Sequence, residues 1–196
     1  SGRRWMNPID VSDFAGQQLG YITSIVQDGD GWVWVGTSES GLLRFRNDNG
    51  AYIGSVGGMS SDNVIDMDYD EYTEILVIGH PENGISLVNT STMSLVDTFD
   101  TDDGLDSDLI VDVATRYGMA YLATPDSGLM RIDISELQIV SSWQSLGADN
   151  LEAAPIAIDG DTVYLGLPEF GIMVLDRING DIIDLLTVGN LSLIHI

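Results

Sequence analysis

Side chains that could take part in catalysis are few in this sequence. It contains two histidines, no cysteine and no lysine. A thiol nucleophile and a lysine Schiff base are therefore excluded, and a Ser-His-Asp triad or a histidine metal site is hard to assemble. Carboxylates are abundant, with 31 acidic residues against seven basic ones. They could act as acid and base on a polysaccharide, but no single pair of them stands out.

Acidic residues recur in one fixed context. Four short segments end in glycine and carry an acidic residue two positions before it. The segments are TSESG (37–41), HPENG (80–84), TPDSG (124–128) and LPEFG (167–171). The acidic residues are Glu39, Glu82, Asp126 and Glu169. Proline presets the backbone early in a turn and glycine can adopt a positive φ, so each segment is typical of a tight turn.

The spacing of these turns indicates a repeat architecture. The closing glycines recur every 43 or 44 residues, a period typical of four-stranded propeller blades. Each repeat contains short apolar runs bounded by Gly, Asp, Ser or Pro, such as LIVDVA (109–114) and MAYLA (119–123). These runs have the length of strands and lack the spacing of an amphipathic helix. We predict an all-β fold, a β-propeller fragment of four consecutive four-stranded blades in an incomplete ring.

Apolar residues follow the closing glycines in register. The next position holds Leu42, Ile85, Leu129 or Ile172, and the position three further on holds Phe45, Val88, Ile132 or Leu175. Strands that are apolar on both sides suit a sheet enclosed between two neighbours. The two positions therefore predict layered packing between successive blades.

The repeat also sets the predicted domain boundaries. The blades are predicted at about 21–62, 63–108, 109–150 and 151–190, and residues 1–20 as the end of a preceding blade with its connecting loop. The final LSLIHI (191–196) looks like a translated sequencing-library adapter, so it is interpreted as a non-native tail. We then expect the natural protein to continue, with further blades of the parent chain as partners for the exposed apolar faces of the terminal blades.

Several segments resemble a known repeat family. GMSSDNVIDM (58–67) and GLDSDLIVDV (104–113) each lead into the first strand of a repeat, and DGDGWVWVGT (28–37) leads into a second strand. They resemble the two-component regulator propeller repeat, whereas the fourth repeat, with DGDTVYLG (159–166), is more similar to a quinoprotein-like blade. The resemblance implies a β-propeller. It also implies an extracytoplasmic location, as the sensor part of a larger signalling protein.

The net charge restricts the class of partner. At −24, the chain repels nucleic-acid backbones and anionic membrane surfaces, so neither is predicted as a partner. No apolar run is long enough to span a membrane, and no membrane insertion is predicted for this fragment. Solubility in saline surroundings is the alternative explanation for the charge.

The repeated acids are predicted to share one face. In a propeller, the turn between the second and third strands lies on the same face as the connection into the next blade. Loops 57–63, 102–108 and 145–152 would therefore join the turns. The predicted ligand-binding face comprises Glu39, Glu82, Asp126, Glu169, Asp62, Asp106 and Asp108. An inherited turn sequence and charge for solubility are the alternatives to binding.

The ligand of this face is predicted only by class, as a cationic or metal-bridged small molecule or a protein. Calcium stays open as a cofactor and no other cofactor is predicted. The densest acidic stretch, DTFDTDDGLDSD (97–108), lacks the spacing of an EF-hand loop.

The function predicted from these observations is non-catalytic, and no catalytic residue is assigned. We expect a ligand-sensing or protein-interaction domain of a secreted or surface protein. One alternative is a propeller hydrolase or lyase that acts on polysaccharide through loop carboxylates. The other is a calcium-stabilised adhesion module.

Overall fold

The described part of the chain is entirely β-structure. The computed structural model describes residues 20–143, 155–167 and 171–187, except for the side chains of residues 141–143. These residues form sixteen strands and no helix. The all-β prediction is confirmed. Residues 1–19 of the predicted leading segment and the whole of the predicted tail, 191–196, lie outside the described residues.

The strands form four sheets of four. The first sheet comprises β1 (Ile22–Gln27), β2 (Val33–Thr37), β3 (Leu42–Phe45) and β4 (Tyr52–Val56). The second comprises β5 (Asp66–Asp70), β6 (Ile75–Gly79), β7 (Ile85–Asn89) and β8 (Ser94–Phe99). The third comprises β9 (Asp112–Arg116), β10 (Met119–Thr124), β11 (Gly128–Asp133) and β12 (Gln138–Trp143). The fourth comprises β13 (Ile156–Asp159), β14 (Thr162–Leu167), β15 (Gly171–Asp176) and β16 (Ile182–Leu186).

Each sheet is an antiparallel meander in sequence order, which is the topology of a propeller blade. The first strands of the blades contact one another in succession, β1 with β5, β5 with β9 and β9 with β13. We call these four the inner strands, because they surround the common axis. Among the described residues, the fourth blade does not pack back on the first, so the four blades form an open arc. This is the predicted incomplete propeller.

The blades bury their apolar sides against one another. We call the side of a blade that meets the following blade its far face, and the opposite side its near face. In three interfaces, a residue that directly follows a turn glycine packs with the near face of the next blade. The pairs within the three interface clusters are Leu42 with Val88, Ile85 with Ile132, and Leu129 with Leu175. The layered packing predicted from these positions is confirmed.

The far face of the fourth blade is the one that has no such partner among the described residues. Ile172 on this face is 37% exposed, whereas its equivalents Leu42, Ile85 and Leu129 are fully buried. The same contrast holds for the second strand, where Tyr164 is half-buried and the equivalent Tyr121 is fully buried. Burial at these positions therefore depends on the neighbouring blade.

The turn glycines adopt the positive φ that the sequence predicts. The values are 67° at Gly41, 62° at Gly84, 79° at Gly128 and 120° at Gly171. At Gly84 a side chain is also excluded sterically, because a Cβ atom there would lie 2.0 Å from the carbonyl oxygen of Phe99. The absence of a side chain at Gly84 therefore allows the backbone of the turn to approach the backbone of the outermost strand of the blade.

Candidate functional site

The repeated turn is closed by a threonine in two blades. The hydroxyl of Thr37 donates a hydrogen bond to the carbonyl of Gly41 (2.9 Å) and accepts one from the N–H of Ser40 (2.9 Å). Thr124 bonds in the same way to the carbonyl of Gly128 (3.0 Å) and the N–H of Ser127 (3.1 Å). Because the threonine hydroxyl pairs with the backbone groups of the turn, the acidic side chain is not needed for these bonds and faces solvent.

In the second blade, His80 occupies the position of this threonine. Its Nδ1 lies 2.8 Å from the carbonyl oxygen of Asn63, and its Nε2 lies 2.8 Å from the hydroxyl of Ser86. Burial lowers the pKa of His80, so the neutral imidazole is favoured. Both His80 and Ser86 are fully buried. Both side chains are enclosed, and their hydrogen bonds tie this turn to Asn63 in the loop that enters the second blade.

Hydrogen bonds join the turns to the loops that connect successive blades. The N–H of Gly41 donates to the carbonyl of Asp62 (2.8 Å), and the N–H of Gly84 donates to the carbonyl of Asp108 (3.0 Å). In the third blade the hydroxyl of Ser127 donates to the carbonyl of Asp106 (3.1 Å). The turns and loops of the first three blades thus lie along one rim, which we call the carboxylate rim.

The predicted binding residues on this rim differ in exposure. Five of them are exposed: Glu39, Asp62, Glu82, Asp106 and Asp126. Asp108 is half-buried, and its carboxylate accepts hydrogen bonds from the N–H (2.7 Å) and hydroxyl (3.0 Å) of Thr101, which order the loop. Glu169 lies outside the described residues.

A second set of carboxylates lies on the inner strands, where the sequence analysis placed no site. On β5, three aspartates accept hydrogen bonds from backbone N–H groups of the third blade. Asp66 accepts from Val113 (3.0 Å), Asp68 from Thr115 (2.7 Å) and Asp70 from Gly118 (3.0 Å). An inner strand is an edge strand, so its outer N–H groups need acceptors. The aspartates of β5 supply them.

Asp112 repeats the first of these bonds at the next interface. Its carboxylate accepts from the N–H of Ile156 at the start of the fourth blade (2.5 Å). Burial, a side-chain hydrogen bond with Asp66 and the charges of Asp66 and Asp68 together raise the pKa of Asp112 to about 7. Burial also raises the pKa of Asp68, against the opposing effect of its bonds to Thr115. We call Asp66, Asp68 and Asp112 the channel carboxylates.

The sequence does contain a signal for the three aspartates of β5, two of which are channel carboxylates. In DMDYD (66–70) an acidic residue alternates with Met or Tyr, which places three carboxylates on one side of a strand. That pattern predicts a polar neighbour on that side. The neighbour, an edge of β9 some 47 residues later in the sequence, is identifiable only from the packing of the blades.

The described residues offer no ready metal centre. No group of three or more His, Asp or Glu side chains among them is placed to hold a metal ion. The same part of the chain contains no helix that is long and apolar enough to cross a membrane.

Two clefts open on the face opposite the carboxylate rim. One, of about 270 Å³, lies between the first turns of the second and third blades and is bordered by Tyr72, Arg116 and Tyr117. The guanidinium of Arg116 lies 4.6 Å from the ring centre of Tyr117. The other, of about 380 Å³, lies at Trp32 and Arg46 of the first blade. In both clefts an arginine already covers the aromatic ring.

Comparison with known families decides the type of repeat. Residues 16–39 match the family described as the two-component regulator propeller. Within this range the chain is similar to one repeat of that family. The match covers β1 and β2 and ends at Glu39 within the turn 37–41, and it confirms the resemblance predicted from the sequence. No curated protein matches the chain.

Several solved structures resemble the chain in fold. The computationally designed protein Ika8 has a TM-score of 0.69 and 15% identity, over 86% of this chain and 50% of Ika8. The extracellular domain of a putative hybrid two-component system from B. thetaiotaomicron has a TM-score of 0.68 and 17% identity, over 87% of this chain and 25% of that one. The designed protein Ika4 has a TM-score of 0.67 and 16% identity, over 82% of this chain and 93% of Ika4. The propeller described here therefore spans half of the first of these structures and a quarter of the second.

Proposed function

We propose that this propeller is a non-catalytic ligand-sensing or protein-interaction domain of a protein that acts outside the cytoplasm. The two-component regulator repeat in the first blade supports a role in signalling. The similar fold of a bacterial extracellular domain of a two-component system supports the location. Since a fold hosts many functions, the proposal needs a site in this chain.

The carboxylate rim is the proposed binding surface. The observation that carries this proposal is the set of hydrogen bonds from Gly41, Gly84 and Ser127 to the loops that connect successive blades. These bonds fix the position of loops that present exposed carboxylates. A rigid, strongly negative surface favours a cationic small molecule, a basic protein segment or a ligand bridged by a metal ion.

A catalytic role for the carboxylates is less well supported. The two described carboxyls whose pKa is raised, Asp68 and Asp112, lie on the inner strands and not on the rim. Each accepts a backbone N–H of the following blade. Networks that hold a fold together also perturb the pKa of a carboxyl, and the bonds of Asp68 and Asp112 favour that explanation over acid–base catalysis.

The binding role can be tested with a cationic probe and a matched pair of variants. The rim variant carries Glu39→Gln, Glu82→Gln and Asp126→Asn. The control variant carries Asp48→Asn, Glu136→Gln and Asp181→Asn, which removes the same charge from exposed turns on the opposite face. Binding of spermine is measured for both by titration calorimetry at low salt, where charge interactions are least screened.

We expect the rim variant to bind spermine at least about tenfold more weakly than the control variant. Equal weakening in the two variants would mean that only net charge matters, and it would refute a binding site on the rim. Absence of spermine binding by the unmodified chain would refute a site for cationic ligands as well.

The open far face of the fourth blade supports a second proposal, that it receives a further blade of the parent chain. Ile172 and Tyr164 lie there at positions that are buried in the other blades. Hydroxyl-radical labelling of these two residues should be lower in the full-length parent protein than in this chain. Equal labelling would contradict the proposal.

A further inference from the structure

Two exposed tyrosines border the cleft of about 270 Å³ between the second and third blades, on the face opposite the carboxylate rim. Tyr72 is 74% exposed and Tyr117 is 58% exposed. We call this the tyrosine cleft. A ring that stays in contact with water gains little from the hydrophobic effect, so core packing does not explain why two of them stand at one cleft.

The backbone of Tyr117 also sets this residue apart. It lies in the two-residue turn between β9 and β10 with a φ of 52°. The equivalent turn of the fourth blade has Gly160 at this position, with a φ of 56°. Glycine adopts such an angle without strain, whereas a bulky aromatic residue is strained there. The geometry of the turn therefore favours glycine and gives no reason for a tyrosine.

One buried carboxylate holds both tyrosine-bearing turns in place. Oδ2 of Asp70 accepts hydrogen bonds from the N–H (2.9 Å) and the hydroxyl (2.8 Å) of Thr73, the residue after Tyr72. Oδ1 of Asp70 accepts the N–H of Gly118 (3.0 Å), the residue after Tyr117. The walls of the tyrosine cleft are thus fixed to each other before any ligand arrives, which reduces the entropic cost of binding.

A cation already rests on one of the two rings. The guanidinium carbon of Arg116 lies 4.6 Å from the ring centre of Tyr117, and Nη2 of Arg116 donates to the Tyr117 hydroxyl (3.2 Å). Arg116 makes no ion pair within the described residues, so the aromatic ring is the partner of its charge. None of the described arginines lies over the ring of Tyr72. That ring remains available to a second cation.

The charges around the tyrosine cleft favour a cationic ligand over an anionic one. Asp68 and Glu71 line the cleft together with Asp70. The net charge of −24 attracts cations to the whole chain and repels anions from it. The volume lies just below the range of about 300–1,000 Å³ that is usual for pockets of drug-sized ligands. The cleft therefore suits a small cation.

The hydrogen-bond acceptors of the cleft are mostly in use. Both oxygens of Asp70 and both oxygens of Asp68 accept hydrogen bonds from the protein itself. An ammonium with several N–H donors would find few partners here. A quaternary ammonium has no N–H to satisfy and is attracted to the faces of aromatic rings. Its chemistry matches a site that offers rings and negative charge.

We propose that the tyrosine cleft binds a small organic cation of the quaternary ammonium class, with its methyl groups against the ring of Tyr72 and its charge balanced by Glu71 and Asp68. Arg116 opposes this binding, because its guanidinium repels a second cation in the same cleft. The inference does not depend on the carboxylate rim, which lies on the other face.

Choline and 3,3-dimethylbutan-1-ol provide a matched pair of probes, because the alcohol has the shape of choline without its charge. Binding of each is followed by NMR through the ring signals of Tyr72 and Tyr117. We expect choline to bind about tenfold more tightly than the alcohol. Equal affinities, or no binding of choline, would overturn the proposal.

Tyrosine variants locate the site. Tyr72→Leu should weaken choline binding at least about fivefold, measured at the remaining ring of Tyr117. The control is Tyr21→Leu, which removes a ring that is 82% exposed beside the turn of the first blade and should leave the affinity unchanged. Equal weakening in the two variants would refute the tyrosine cleft as the site.

Arginine variants separate binding from a purely structural role of the ring contact. Arg116→Gln should bind choline about threefold more tightly, because the competing charge is gone. Arg46→Gln removes the same charge from the first blade and should leave the affinity measured at Tyr72 unchanged. An affinity that does not rise in Arg116→Gln would contradict the proposal.

The rim variant, with Glu39→Gln, Glu82→Gln and Asp126→Asn, distinguishes the two surfaces. It should keep its affinity for choline, as measured at Tyr72, even where it loses spermine. A loss of choline binding as large as that in Tyr72→Leu would place the cation on the rim and overturn the tyrosine cleft, while the proposed function of the rim would stand.

Discussion

Asp66 and Asp112 hold the same position in successive blades, and the carboxylate of each accepts a backbone N–H from the blade that follows its own. The same residue type at the same position of the repeat therefore does two things. It satisfies the free edge of the next inner strand, and it places like charges beside each other. The first effect stabilises the propeller and the second makes its stability depend on pH.

The unfolding free energy should fall with rising pH because of Asp112. Its pKa is raised from 3.8 to about 7 in the folded chain. Between these values the unfolded chain releases the proton and the folded chain retains it, so stability is lost through that window and does not change further above it. Asp112→Asn should therefore be more stable than the unmodified chain at pH 8, by about 1–2 kcal/mol after allowance for solvent around this half-buried carboxyl. Urea unfolding at several pH values measures this difference, which should vanish at about pH 4.

His80 should produce the opposite dependence. Its pKa lies below the ordinary value of 6.5, because burial disfavours the imidazolium. Its contribution to stability is therefore present above about pH 6.5 and is lost as the pH falls through the folded value. The double variant His80→Thr, Ser86→Met introduces the residues that the third blade has at the equivalent positions, Thr124 and Met130. It should abolish the loss of stability at low pH.

The matched control is the single variant His80→Thr, which leaves Ser86 buried without its imidazole partner. It should be less stable than the double variant by about 1–2 kcal/mol at neutral pH. Acid unfolding of the two variants, followed by circular dichroism, tests both statements. If the double variant loses stability at low pH as the unmodified chain does, then His80 is not the cause of that loss.

Three glycine substitutions should separate backbone strain from steric exclusion. Gly57→Ala meets no atom within 4 Å and has no positive φ, so the unfolding free energy should change by less than about 0.5 kcal/mol. Gly160→Ala has open space but a φ of 56°, so about 1 kcal/mol should be lost. Gly84→Ala combines a φ of 62° with a Cβ atom 2.0 Å from the Phe99 carbonyl, so the loss should exceed about 2 kcal/mol. Chemical denaturation gives the order, and a loss at Gly84 no larger than at Gly160 would argue against the steric effect.

Alanine substitutions at equivalent positions of two blades should show which far face is covered by a neighbouring blade. Leu129→Ala removes a fully buried side chain from an interface between blades and should cost about 2–4 kcal/mol. Ile172→Ala is the equivalent change on the far face of the fourth blade, where the side chain is 37% exposed, and should cost about 1 kcal/mol or less. Thermal unfolding of the two variants provides the comparison. Equal losses would indicate that another surface covers Ile172.

Calcium should affect the stability of this chain mainly by screening its negative charge, as any salt does. With a net charge of −24, screening by salt should raise the melting temperature. We expect millimolar calcium to raise it no more than magnesium at the same ionic strength, because the described carboxylates form no cluster placed to hold a metal ion. A rise specific to calcium would favour the calcium-stabilised adhesion module over the sensing domain.

The fold was largely readable from the sequence because its determinants are local and repeated. A turn sequence that recurs every 43 or 44 residues, together with strand-sized apolar runs, predicts the sheets and the positions that face a neighbouring blade. The sharing of one rim by the turns and loops also follows from the order of strands in a meander. Glu39 and Asp62 could therefore be assigned to that rim in advance.

What only the tertiary structure decided is which groups meet across the interfaces. Asp66 and Val113 are 47 positions apart in the sequence, and nothing in the local pattern of either residue indicates that the carboxylate of Asp66 accepts the backbone N–H of Val113. The same holds for His80 and Ser86, which are buried together and in hydrogen-bond contact. Strand formation and turn geometry depend on neighbours along the chain, whereas burial and the pKa depend on neighbours in space. Those neighbours exist only once the blades have packed.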